Sequence, residues 1–155
     1  MSYRELHPTK EGKRKYRFVT TGVVSAKLIG RMKDHPPCVF KDAHLKQWAQ
    51  IRGGKIEIAV GYAWNGCSPK WYAGFPPIGA WLGTPDFPET ILPSLIHDVL
   101  FQFAAVGKYS FDDANYQFYA MMQGFDGAAI YYDAVQRLGK RYWKKHPEKT
   151  HAYYL

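Results

Sequence analysis

The stretch "PSLIHDVLFQF", residues 93 to 103, sets His97 and Asp98 side by side in an apolar segment. An imidazole near its ordinary pKa serves as a general base, and a neighbouring carboxylate can hold a metal ion. On a helix, adjacent side chains diverge by about 100°. His97 and Asp98 therefore cannot orient one another, and each needs a partner from elsewhere in the chain. Oxygen ligands and exposed backbone are on offer upstream at Asn65, Gly66, Ser68, Gly83, Thr84 and Asp86. Asp112 and Asp113 follow 15 and 16 residues after His97. The plain structural alternative is that His97 donates to a backbone carbonyl, Asp98 faces water or a basic residue, and the aspartate pair caps a helix.

The elements that must position these groups are readable from periodicity. Leu95, Ile96, Val99, Leu100 and Phe103 recur at spacings of one, three and four, which predicts a helix with a buried face. Pro93 suits its first turn, where a missing N–H costs nothing. Gly107 ends that segment. Ser110 is an N-cap for "FDDANYQFYAMMQ", with Asp112 and Asp113 in the first turn and Gly124 at the stop. A third helix opens near Asp126, with Ile130, Ala134, Leu138 and Trp143 close to one stripe.

The first half reads as β. "YRFVT" and "GVVSAKLIG" are strand candidates, and "HLKQWAQIR-GG-KIEIAV" is a hairpin whose Gly53-Gly54 pair supplies the positive φ of a two-residue turn. Residues 61 to 88 have neither period. They hold five glycines, five prolines, three tryptophans and two tyrosines, and a loop of this length tends to be functional or packed on its own side chains. The expected architecture is α+β: a small antiparallel sheet with the Gly-Gly hairpin (about 37–61), the long loop, then a three-helix layer. Residues 1–155 are read as one domain, with a basic N-terminal arm over 1–15 and a C-terminal tail over 146–155.

Apolar residues make up 46% of the 155, which places the chain among globular proteins. No run approaches the ~18 apolar residues of a membrane span. The polar opening stretch has no apolar core of a secretion signal, so synthesis and release in a cytoplasm is the expectation. There Cys38 and Cys67 are expected as reduced thiols. The formal charge is +8, and five of the eight residues from Lys10 to Arg17 are basic. Such a charge is compatible with nucleic acid, an anionic membrane or an acidic protein. No specific nucleic-acid motif accompanies it.

"WNGCSP" at 64–69, "GTPDFPETILPSLIHDVLFQF" at 83–103, "SFDDANYQF" at 110–118 and "YYDAVQRLGKRYW" at 131–143 resemble a family found mainly in tailed bacteriophages. Its members share a W(N/D)GxS loop, a GTP stretch, an S-L-I-H-D helix and a downstream aspartate, over about residues 55 to 143 here. The family is one of unknown function. The resemblance implies a phage gene product made in the host-cell cytoplasm, with other virion proteins or a host protein as partners. Where many members have Asp, this chain has Asn65, which removes a charged ligand from that loop.

A fainter resemblance is to the small secreted and viral-capsid phospholipases A2, which set a Gly-rich calcium loop ahead of an H-D-x-x-(Y/F) helix. It implies that His97 deprotonates a water, that Asp98 and backbone oxygens near Gly83 bind Ca²⁺, and that Asp113 orients His97. The doubled Gly-x-Gly calcium loop and the disulfides of the secreted forms are absent from this sequence. Helix rise also objects: in an antiparallel helical hairpin His97 lies ~12 Å below the turn and Asp113 only ~3 Å, so Tyr116 or Tyr119 comes nearer its level. Three functional readings stand on the sequence. They are a phage accessory or virion-associated protein whose His-Asp site is a buried polar network, a small His-Asp hydrolase with or without a metal, and a host-directed binding protein.

Overall fold

The computed structural model describes residues 2–6, 16–66, 88–140, 143–144 and 149–155. Among these residues, eight strands and three helices make an α+β fold. The strands are β1 (Tyr3–Glu5), β2 (Phe18–Thr20), β3 (Val24–Lys27), β4 (Cys38–Asp42), β5 (Gln47–Arg52), β6 (Lys55–Ile58), β7 (Ala63–Trp64) and β8 (Thr150–Tyr154). A 3-10 turn covers Gly30–Asp34, and the helices are α1 (Pro88–Gln102), α2 (Phe111–Met121) and α3 (Ala128–Leu138). One sheet has the order β1-β2-β7 and the other β3-β6-β5-β4-β8, with every pairing antiparallel.

The hairpin forms as its alternation requires. Gln50 pairs with Glu57 and Ile51 with Ile56, while Gly53 and Gly54 take φ values of 57° and 73°. Both turn residues are left-handed, which matches the twist of the flanking strands. The alternation places Ala49, Ile51, Ile56 and Ile58 on one buried face. Cys38 and Phe40 of β4 join them, and Leu95, Ile96, Val99, Leu100 and Phe103 of the α1 segment complete the core. Phe40 and Phe103 stack there at 5.0 Å.

Four local expectations are corrected. Helix α1 starts at Pro88, so Pro93 lies inside it rather than in its first turn. The reason is that Thr90 and Ile91 are buried and continue the face of Ser94 and Leu95 one turn earlier. The absent N–H of Pro93 leaves the Glu89 carbonyl without its intrahelical donor. In α3 the buried face is Tyr131, Ala134 and Val135 with Ala128, whereas Ile130 is 50% exposed. A helix packed on α2 through these positions has its stripe rotated by one residue from the expected one. It also ends at Leu138, and Trp143 packs beyond it on Phe101 and Phe111. Finally, both ends of the chain contribute strands. Residues 150–154, expected as a tail, pair with β4 from Cys38↔Tyr154 to Asp42↔Thr150, and Tyr3–Glu5 of the expected arm pairs with β2.

The hairpin turn yields a test. A Cβ at Gly54 would stand 3.4 Å from the Lys33 carbonyl, while one at Gly53 meets nothing within 4 Å. Gly54→Ala is expected to cost about 1 kcal/mol and to lower the melting temperature by about 2–4 °C. Gly53→Asn is expected to change it less, since Asn tolerates the left-handed region. Calorimetry of the two variants checks the order.

Candidate functional site

Helix α1 turns different faces to different neighbours, and the 100° between His97 and Asp98 decides which each meets. Ser94, Asp98 and Gln102 are spaced by four and share one face. At its two ends this face meets β7 and the residue before it: Trp64 Nε1 donates to Ser94 Oγ at 3.0 Å, and the Tyr62 hydroxyl donates to Gln102 Oε1 at 2.7 Å. Asp98, half-buried, sits between those contacts. Burial raises the pKa of the Tyr62 hydroxyl well above the ordinary tyrosine value, and the Asp98 charge adds to the effect.

His97 faces the other way, into the helical layer, and is 5% exposed. Its ring lies 4.3 Å from Phe101 and 4.9 Å from Phe118. Nε2–H donates to Asn115 Oδ1 at 2.7 Å. Asn115 Nδ2 donates to Gln136 Oε1 at 2.7 Å, and Gln136 Nε2 donates to the Tyr132 hydroxyl at 3.1 Å. The Tyr132 ring packs on Tyr119 at 4.8 Å. One hydrogen-bonded line thus runs from α1 through α2 to α3. Burial lowers the His97 pKa to about 4, with the Asn115 bond acting weakly against it. The imidazole is neutral at pH 7, and its Nε2 proton is engaged. A base with so low a pKa is poorly matched to proton abstraction near neutrality.

Asp113 does not orient His97. Its Oδ2 accepts from the Ser110 backbone N–H at 3.0 Å, and its own N–H donates to Ser110 Oγ at 3.0 Å. This is a reciprocal capping box, which satisfies two donors at the start of α2. The residue that reaches His97 is Asn115, two positions further down the helix. Helix rise objects to Asp113 and sets Tyr116, which is 45% exposed, or Tyr119 nearer the level of His97. The available signal for Asn115 was an amide embedded among Ala114, Phe118 and Met122, all buried.

A second amide was equally unmarked. Gln117 is 0% exposed, donates through Nε2 to the Lys27 carbonyl at 2.9 Å and accepts the Ile29 N–H at 2.7 Å. It fastens α2 to the end of β3. Asn65 is half-buried and follows Trp64, whose indole donates to Ser94 of α1. Ser68, Gly83 and Cys67 lie outside the described residues, and with them most of the proposed Ca²⁺ set. Among the described residues, no group of three His, Cys, Asp or Glu converges as a metal site.

Another histidine lies buried on the sheet side. His35 Nδ1–H donates to the Pro36 carbonyl at 2.8 Å, and its Nε2 accepts the Lys108 N–H at 3.0 Å. Burial lowers its pKa. Cys38, 4.0 Å from His35 Nδ1, is a free thiol whose pKa burial pushes up to about 11. It is therefore a thiol and not a thiolate nucleophile at neutral pH. Comparison with protein-family models, curated proteins and solved structures finds no match to this chain.

The low His97 pKa makes stability depend on pH. The unfolded chain binds this proton near the ordinary value of 6.5 and the folded protein only near 4, so stability is full above the first and falls as pH drops toward the second. His97 is expected to account for about 3 kcal/mol of that loss. Urea unfolding at stepped pH, with His97→Leu as reference, checks it: the variant's curve should be flatter between those two values. His35 contributes in the same direction in both proteins.

Proposed function

We propose that this chain is a bacteriophage-encoded accessory or virion-associated protein whose His-Asp motif is architectural. The phage origin is supported by the W-N-G-C-S, G-T-P and S-L-I-H-D motifs and their order. The architectural role rests on one observation, the line from His97 through Asn115 and Gln136 to Tyr132. A buried hydrogen-bonded line of this kind favours one arrangement of three helices, because another would break its bonds and strand buried polar groups. The phospholipase-like assignment needs Asp113 to orient His97, and Asp113 is committed to the helix cap.

Two measurements test the reading. His97→Ala and Asn115→Ala are each expected to cost about 1–3 kcal/mol, and the double variant is expected to cost less than their sum, since both break the same bond. Ester and phospholipid substrates should remain intact with wild type, with or without Ca²⁺. A His97→Ala protein that keeps its melting temperature while abolishing a hydrolysis seen in wild type would restore the hydrolase. Mass spectrometry of purified particles distinguishes a virion component from an accessory factor.

A further inference from the structure

The open face of the five-stranded sheet carries a charge pattern at odds with strand pairing. The register sets Lys27 directly opposite Lys55, and Lys55 directly opposite Arg52. Three cations therefore stand in one row across β3, β6 and β5, and all are exposed. Like charges directly opposite one another weaken a sheet. Among the described residues, no carboxylate makes an ion pair with any of the three. Glu57, in the neighbouring row, is engaged sideways by Gln50 Nε2 at 2.9 Å.

The same face ends in an aromatic ring. Tyr153 of β8 is opposite Val39 and is 45% exposed, with the Lys41 Nζ 4.8 Å from its ring centroid. His151, also exposed, is opposite Lys41. From β3 to β8 the face spans four inter-strand steps, about 19 Å.

We propose that this face binds single-stranded nucleic acid, with the cation row on successive phosphates and Tyr153 stacking against a base. A linear row of unneutralised cations suits a linear polyanion, whose phosphates relieve the repulsion within the row. Ser25 and Gln50, exposed and half-buried, leave hydrogen-bonding groups along the path. A duplex keeps its bases stacked inside and makes no use of the Tyr153 ring. An anionic membrane calls for apolar side chains that insert beside the cations, whereas the row is flanked by Ser25, Glu57 and Gln50. The net charge of +8 speeds encounter with any such strand.

The test is fluorescence anisotropy of a labelled, mixed-sequence single-stranded oligodeoxynucleotide titrated with the full chain between about 50 and about 200 mM salt. A variant carrying Lys27→Gln, Arg52→Gln and Lys55→Gln is expected to bind at least about tenfold more weakly. Its log–log salt slope should be shallower by about 2, since each phosphate contact on a single strand contributes roughly 0.7. Its melting temperature should equal or exceed that of wild type, because the repulsion is gone. Tyr153→Ala is expected to weaken binding roughly fivefold or more, with the slope unchanged. A control carrying Lys10→Gln, Lys13→Gln and Lys15→Gln removes the same charge and should lose far less. The proposal is overturned if the control loses as much as the row variant, or if wild type fails to bind at the lowest salt. It is equally overturned if wild type prefers duplex DNA or phosphatidylserine vesicles to the single strand.

Discussion

A buried polar group must find a partner inside the protein, and helix α2 is built around that constraint. It carries two side-chain amides, Asn115 and Gln117, each with no exposed surface. Being two residues apart, they point to opposite sides of the helix. Asn115 reaches the histidine of α1 and the glutamine of α3, and Gln117 reaches the end of β3. Apolar packing selects which stripe of a helix faces its neighbour but tolerates small slips. Paired amides narrow the choice, because a small slip forfeits bonds that water cannot replace.

Helix α1 serves both sheets. Its apolar side covers β4, β5 and β6, and its polar side receives Trp64 and Tyr62 from the smaller sheet. The small sheet has short strands and little area of its own to bury, so Phe18 and Trp64 join the main core, with Tyr3 packed on both. His97 and Asp98 are adjacent in sequence and separated in function by this division. The first is neutral and enclosed by the helical layer, and the second stands half-buried on the face that receives Trp64 and Tyr62.

Among the described residues, two buried histidines show how the same side chain is satisfied in different ways. His35 uses both ring nitrogens on backbone groups, Pro36 and Lys108, and so ties the start of β4 to the turn before α2. His97 uses a side chain, and so becomes part of a chain of amides. Desolvation lowers the pKa of both. Neither is tuned toward neutrality by a carboxylate, which is the arrangement that proton transfer at pH 7 favours.

Features set by short-range chemistry were legible in the sequence. The Gly53-Gly54 turn, the Ser110 cap with Asp113 three residues on, the buried face of α1 and the α+β order all follow from residues within a few positions of one another. What needed the tertiary structure was the choice among partners distant in sequence. Asp113 and Asn115 are equally polar on paper, but the former is drawn to the unpaired donors at its own helix start, and only packing brings the latter to His97. The stripe of α3 is defined by where α2 lies, which moved Ile130 to the surface. The C-terminal Thr150–Tyr154 run has β-branched and aromatic residues that suit a strand, yet it is one only because β4 offers an unpaired edge more than a hundred residues away. Local propensity states what a segment can be. The long-range hydrogen bond decides what it is, since its cost or gain depends on a group the segment cannot specify.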